Sequence, residues 1–205
     1  MRSVDIFDED KAAQAAAFFL FRSGGAMEMA VLKLMKLLYL AERRSFELYS
    51  EPIIGDRLVS MPHGPVLSLT FNHMNGQLES KPGGWAAWIG GRNDYRLGLA
   101  KGRKISSPEQ DLLALSEVDL EILEEIWRDF GAMSAFQIRD YTHQHCPEWR
   151  DPNGSMIPMT FGDLFEALEF SDARARESLA QLEERGGLAY RLAQPVAPVC
   201  AMAAA

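Results

Sequence analysis

The segment from Met27 to Ser50 constrains the fold more than any other part of the chain. Four of its charged residues recur at helical spacing on one narrow stripe, and they are Lys33, Lys36, Arg43 and Glu47. This leaves the buried faces to apolar residues, among them Val31, Leu34, Met35, Leu38 and Tyr39. A helix with so much apolar surface must be covered on several sides. The pattern therefore predicts a central helix that other elements nearly surround.

Capping residues predict helices on either side of this central one. Asp8 can cap a helix that runs to about Arg22 and stops at Gly24-Gly25. Ser116 followed by Asp119 resembles a capping box at the start of a later helix. That helix carries an apolar stripe of Val118, Ile122, Leu123, Ile126 and Phe130.

Three further helices are predicted after residue 130. Ser134 can cap a helix to about His145, and Thr160 can cap another to about Phe170. Ser171 can cap the last helix, which Gly186-Gly187 is expected to close.

The chain between the central helix and Ser116 is predicted to be less regular. Ile53 to Met61 is typical of a turn that leads into a short strand, which Pro62 ends. Pro65 suits the first position of a third helix that runs to about Asn75-Gly76. The Gly-rich stretch from Gln77 to Lys104 predicts a loop followed by a small hairpin.

The predicted fold class is mainly α. We expect a single-domain helical bundle over residues 1–192, with a small β-hairpin or a short two- to three-stranded sheet. Residues 193–205 are uncharged, contain proline and end in alanines, so they predict a mobile C-terminal tail.

Composition narrows the class of protein. A formal net charge of −8 gives the chain no overall attraction to phosphate, which disfavours nucleic acid as a partner. The longest apolar-rich region, Val31 to Ala41, falls short of the roughly 20 residues that span a bilayer. The acidic N-terminus lacks the pattern of an export signal, and Cys146 and Cys200 give little support for a disulfide scaffold. We expect a cytoplasmic protein without membrane contact.

A metal-dependent enzyme is one alternative. His143, His145 and Cys146, with Glu148, offer ligand types that zinc prefers. Residues two apart on a helix point to different sides, so this spacing disfavours a shared metal ion.

Other classes of enzyme site have no sequence support. The glycines and serines form no phosphate-binding loop, dinucleotide site or nucleophile elbow. We therefore predict no enzyme activity, no metal and no cofactor.

Basic and aromatic side chains are interleaved in one part of this acidic chain. The candidate partner surface consists of Trp85, Trp88, Arg92, Tyr95, Arg96, Lys101, Arg103 and Lys104. Trp, Tyr and Arg are enriched at the energetic centres of protein interfaces, which favours a protein partner. Base stacking and phosphate contact are the alternative. A second nucleic-acid hypothesis uses the last two helices with Arg174, Arg176 and Arg185.

Several short motifs occur in a defined order along the chain. Lys33 to Glu42 reads KLMKLLYLAE, and Tyr49, Pro52, Ile53-Ile54-Gly55-Asp56 and His63-Gly64-Pro65-Val66 follow it. The second half contains Leu115 to Asp119, Phe130-Gly131, Met133-Ser134, Thr142-His143 and Pro147-Glu148-Trp149. In order and spacing, these motifs resemble the Panacea domain family over roughly Met27 to Phe170.

The resemblance implies an antitoxin that neutralises a cognate protein toxin by direct binding. A sharper version is a proteolytic adaptor that delivers the toxin to the ClpXP protease. The alternatives are a nucleic-acid-binding regulator of its own operon and another role in a phage or mobile element. Self-association is left open.

The motif residues are expected to be structural, and they are Lys36, Tyr39, Asp56, His63, Gly64, Pro65, Thr142, His143, Pro147 and Trp149. Among them, His63 is expected to hydrogen-bond the turn or the start of the neighbouring helix, because buried polar groups need partners.

Overall fold

The computed structural model of the protein describes residues 6–24 and 28–193. Its helices are α1 (Glu9–Arg22), α2 (Val31–Tyr49), α3 (Ser68–Met74), α4 (Trp85–Trp88), α5 (Pro108–Asp111), α6 (Glu117–Phe130), α7 (Ala135–His145), α8 (Phe161–Ala167) and α9 (Asp172–Ala193). Its strands are β1 (Glu28–Ala30), β2 (Leu58–Met61), β3 (Gly64–Leu67), β4 (Arg96–Gly98) and β5 (Ile157–Pro158). The predicted fold class is confirmed, because helices dominate and the strands form small antiparallel sheets of two and three strands. The predicted mobile tail, beyond Ala193, lies outside the described residues.

Helix α2 lies at the centre of the fold. Helices α1, α6 and α7 pack against it, and Leu34 and Leu38 are fully buried. Each fully buried side chain of this type stabilises the fold by roughly 1.5–3 kcal/mol. The helix begins at Val31 and not at Met27, because residues 28–30 form strand β1.

Helix α1 begins and ends close to its predicted limits. The carboxylate of Asp8 accepts hydrogen bonds from the backbone N–H groups of Asp10 and Lys11 at 3.0 and 3.1 Å. This cap satisfies donors that the first helical turn leaves free. Residues 12–20 of the helix are all buried, so α1 is part of the core.

Two small sheets pack against α2 through β1 and β3. Strand β4 pairs with β1, and Leu97 lies opposite Met29. The predicted local hairpin exists only as the isolated bridges Ile89–Leu99 and Asn93–Arg96. The main partner of β4 is thus a strand almost 70 residues earlier in the chain, which local sequence did not predict.

Pro65 lies in a strand, so the prediction that it begins a helix is wrong. Residues 64–67 form β3, in which Pro65 lies opposite Ser60 of β2, and helix α3 begins at Ser68. In the order β3-β2-β5, β3 is an edge strand. Proline is tolerated at a sheet edge because it has no N–H to donate to the ladder.

Side-chain caps correctly predict where α6, α7 and α8 begin. The hydroxyl groups of Ser116, Ser134 and Thr160 accept hydrogen bonds from the N–H three residues later at 3.1, 3.3 and 3.0 Å. Two details differ from the prediction. Val118, at one end of the α6 stripe, is exposed, and α8 ends at Ala167, before Phe170.

Helix α9 continues through Gly186-Gly187, so the predicted stop is wrong. Neither glycine has a positive φ, which a glycine-terminated helix normally needs. A glycine within a helix is only about 1 kcal/mol less favourable than alanine, so the helix can pass through two of them. None of the helices in the described ranges is long and apolar enough to cross a bilayer.

Candidate functional site

Lys36 lies in the first half of α2 and is completely buried. Its Nζ donates a hydrogen bond to the carbonyl oxygen of Pro65 at 2.6 Å. Because burial disfavours the charged ammonium, the pKa of Lys36 falls to about 7. The assignment of Lys36 to an outward charged stripe is therefore wrong, since its side chain joins α2 to strand β3.

Gly64 packs tightly against this lysine. It has a φ of +96°, a conformation that side chains other than glycine rarely adopt. A Cβ atom at Gly64 would lie 2.9 Å from Oγ1 of Thr142, 3.0 Å from Nζ of Lys36 and 3.2 Å from Cδ2 of His143. Four of the motif residues, separated by up to 107 positions in the chain, therefore meet at one point. The neighbouring His63 is exposed, and its ring forms no hydrogen bond with any residue that the structure describes, so the predicted bond to the turn or to the start of the neighbouring helix is not formed.

His143 stacks on Trp149 with ring centroids 4.0 Å apart and planes within 4°. The indole Nε1 of Trp149 donates a hydrogen bond to the carbonyl oxygen of Met61 at 2.9 Å, which joins this pair to the end of β2. Burial and the nearby charge of Lys36 lower the pKa of His143. The stacked pair thus favours a neutral imidazole in a structural role. Pro147, between α7 and this tryptophan, is exposed.

Glu148 links the end of α7 to the central helix. Its Oε1 accepts hydrogen bonds from the hydroxyl of Tyr39 at 2.7 Å and from Nε of Arg43 at 2.9 Å. The carboxylate is buried, and the sequence did not predict this network, because it offered Glu148 only as a further ligand in the disfavoured zinc alternative. Cys146 is buried nearby, and burial raises the pKa of its thiol to about 12. Cys200 lies outside the described residues.

Two buried carboxylates hold the segment between α2 and α3. Glu42 accepts hydrogen bonds from the backbone N–H groups of Ile53, Ile54 and Gly55 at 2.7–2.9 Å. Asp56 accepts hydrogen bonds from the backbone N–H and the hydroxyl of Thr70, both at 2.7 Å. The sequence motif predicts a structural role for Asp56 but none for Glu42. At 100° per residue, Glu42 lies on the side of α2 opposite Lys33, among the apolar residues. A charged residue on the apolar side of the helix is the sequence feature that could have indicated its buried role.

The proposed zinc ligands point in different directions. His145 stacks on Tyr141 at 4.2 Å, while His143 stacks on Trp149 and Oε1 of Glu148 accepts the hydrogen bonds from α2. Across the described ranges, no group of three or more His, Cys, Asp or Glu side chains is arranged to hold a metal ion. The residues of this region instead pack the fold together.

Only some residues of the candidate partner surface are exposed. Trp85 and Trp88 are buried, so their assignment to a contact surface is wrong. Their place in the sequence gave no sign of this, because aromatic residues beside glycines also occur in exposed loops. Arg103 is half-buried, with its guanidinium 4.1 Å from the ring centroid of Trp88. The exposed members are Arg92, Tyr95, Arg96, Lys101 and Lys104.

Of the three arginines in the hypothesis that the last two helices bind nucleic acid, Arg174 is engaged in contacts within the chain. The guanidinium of Arg174 lies 3.6 Å from the ring centroid of Phe170. It also donates hydrogen bonds to Oγ of Ser50 at 3.0 Å and to the carbonyl oxygen of Glu47 at 2.8 Å. Arg174 therefore holds α9 against the end of α2 and is not a free cation.

Comparison with protein families gives a match over the central part of the chain. The sequence model of the family described as Antitoxin SocA-like, Panacea domain matches residues 34–150, which is more than half of the chain. We find no significant match among curated proteins or solved structures. The matched range contains Lys36, Gly64, Thr142, His143 and Trp149, which the fold brings together. The chain therefore belongs to the SocA-like antitoxin family that the Panacea domain defines.

Proposed function

We propose that this chain is an antitoxin that neutralises a cognate protein toxin in the cytoplasm by direct binding, without catalysis. The observation that carries the proposal is the match to an antitoxin-like family over residues 34–150. A standard protein interface would bury about 800 Å² on each partner.

The geometry of the motif cluster supports a binding scaffold. Lys36, Glu42 and Glu148 are buried and bind groups of the same chain, with distances of 2.6–2.9 Å. Lys36 has a lowered pKa, which a nucleophilic amine requires, but its side chain has no access to solvent or substrate. These groups fix the relative positions of α2, β3 and α7, and such rigidity lowers the entropic cost of binding.

Co-expression tests the proposal directly. The product of the adjacent gene is produced alone and together with this chain, and growth is measured. We expect growth arrest by the neighbour alone, rescue by co-expression, and recovery of both proteins in a pull-down of the tagged chain. A neighbour that neither arrests growth nor binds this chain would contradict the antitoxin function.

The finer proposal is that the chain acts as an adaptor for ClpXP. In that case rescue should fail in cells that lack ClpX, and the toxin should persist there. Rescue that is equal in cells with and without ClpX would rule out the adaptor role and leave neutralisation by binding alone.

A further inference from the structure

One stretch of the chain has a charge opposite to that of the rest. Residues 92–104, named here the basic turn, contain five basic side chains and a single carboxylate, that of Asp94. The other 192 residues contain 16 basic against 28 acidic side chains. The basic turn is therefore a stretch of net positive charge in an acidic chain, although the neighbouring Glu28 pairs with one of its cations, Arg96, at 3.6 Å.

The backbone of the basic turn is held firmly. The N–H groups of Asn93 and Arg96 each donate to the carbonyl oxygen of the other, at 3.0 and 2.9 Å. The N–H of Val31 donates to the carbonyl oxygen of Tyr95 at 2.8 Å, which attaches the tip of the turn, residues 92–96, to the start of α2. At the base of the turn, residues 100–104, the N–H of Ala100 donates to the carbonyl oxygen of Trp88 at 2.8 Å. A preformed surface of this kind loses little entropy when it binds.

The tip presents an aromatic ring and a cation side by side. Tyr95 is 76% exposed, and the guanidinium of Arg92 lies 5.2 Å from its ring centroid. Residues 91–96 are all exposed. Tyr and Arg are, with Trp, the residue types enriched at the energetic centres of protein interfaces.

The base of the turn presents free cations. Lys101 and Lys104 are exposed, and the structure shows no ion pair for either within the described residues. They line a shallow concavity with Ala87, Gly102 and Arg103. Arg103 is fixed there by two hydrogen bonds to the carbonyl oxygen of Ala87, at 3.0 and 2.8 Å. An anionic group entering this concavity would meet the charges of Lys101 and Lys104 without first breaking an ion pair.

We propose that the basic turn is the docking surface for an acidic patch on a protein toxin; this rests on the proposed antitoxin function. A protein is favoured over nucleic acid for two reasons. Base stacking needs exposed rings, and of Trp85, Trp88 and Tyr95 only Tyr95 is exposed. From Tyr95 to Lys101 the chain spans at most about 20 Å, and a longer polyphosphate would meet the acidic remainder of the protein.

The test compares two double variants of equal charge change. Lys101→Glu with Lys104→Glu reverses the base of the turn, and Arg128→Glu with Arg176→Glu reverses two exposed cations on α6 and α9. Each is titrated against the purified product of the adjacent gene. We expect the first pair to weaken binding at least tenfold and the control pair less than twofold. Tyr95→Ala should also weaken binding at least tenfold.

Every outcome decides the proposal. If all variants bind the toxin as tightly as the unaltered chain does, the proposed docking surface is wrong and the antitoxin function stands. An unaltered chain that neither binds nor rescues would overturn both. A 20-base-pair DNA duplex serves as the alternative probe. One result is that the chain binds this duplex in a salt-sensitive way and that the reversal of Lys101 and Lys104 alone abolishes this binding, while toxin binding stays unchanged. This result would assign the basic turn to nucleic acid and overturn the proposal.

Discussion

The side-chain amine of Lys36 and the carbonyl oxygen of Pro65 form a buried hydrogen bond that connects the first half of α2 to edge strand β3. Gly64, Thr142 and His143 crowd around the same lysine, so α7 meets the other two elements at this point. We therefore expect substitutions in the cluster to act on toxin binding through the stability of the fold.

Stability should depend on pH through Lys36. Its pKa is about 7 in the folded chain and 10.5 in the unfolded chain, so between these values the unfolded state binds more protons. Stability from this site is therefore gained as pH rises above 7 and lost as pH falls towards 7, by about 1 kcal/mol per pH unit. Urea unfolding at pH 7, 8 and 9 should show this rise in the unaltered chain and not in Lys36→Met. Parallel pH profiles for the two proteins would contradict the assignment.

Gly64→Ala should destabilise the fold by about 2–4 kcal/mol, because a strained φ is combined with steric overlap. Gly83→Ala provides the control: its φ is +81°, but nothing lies within 4 Å of the added Cβ. We expect Gly83→Ala to cost about 1 kcal/mol, the contribution of the backbone alone. Thermal unfolding of both variants measures the difference, and equal losses would show that the packing around Gly64 yields easily.

Glu148→Ala should lower the free energy of unfolding by about 3 kcal/mol, because it leaves the Tyr39 hydroxyl and the Arg43 guanidinium without their acceptor. Tyr39→Phe removes one hydrogen bond and keeps the ring, so a loss of about 1 kcal/mol is expected. Urea denaturation gives both values. If the two variants were equally stable, the ion pair between Arg43 and Glu148 would contribute nothing.

Arg174→Ala should loosen α9 while leaving the rest of the fold intact. The substitution removes the stack on Phe170 and two hydrogen bonds to the end of α2. Amide hydrogen exchange should accelerate in residues 172–193 and stay unchanged in α2 and α6. Arg176→Ala, an exposed position on the same helix, is the control. Unchanged exchange in Arg174→Ala would show that α9 is held by its apolar residues alone.

The sequence predicts hydrogen bonds between residues a few positions apart, but it does not predict contacts between residues far apart in the chain. Ser116, Ser134 and Thr160 cap their helices through groups three residues away, so the sequence placed these starts correctly. Lys36 and its acceptor are 29 residues apart, and helical periodicity treats any charge as outward-facing. The burial of Trp85 and Trp88 escapes prediction for a similar reason, since α1, which packs against α4, comes from a distant part of the chain.

The burial of α1 has a consequence for anyone who shortens this gene. The family match begins at Leu34, inside α2, so a fragment cut to the matched range would lack α1 and strand β1. It would lay bare the surface of α2 and α6 that α1 covers, including the sites where Phe18 and Phe19 lie. Such a fragment should aggregate on expression, and useful boundaries start before Asp8, the residue that caps the helix.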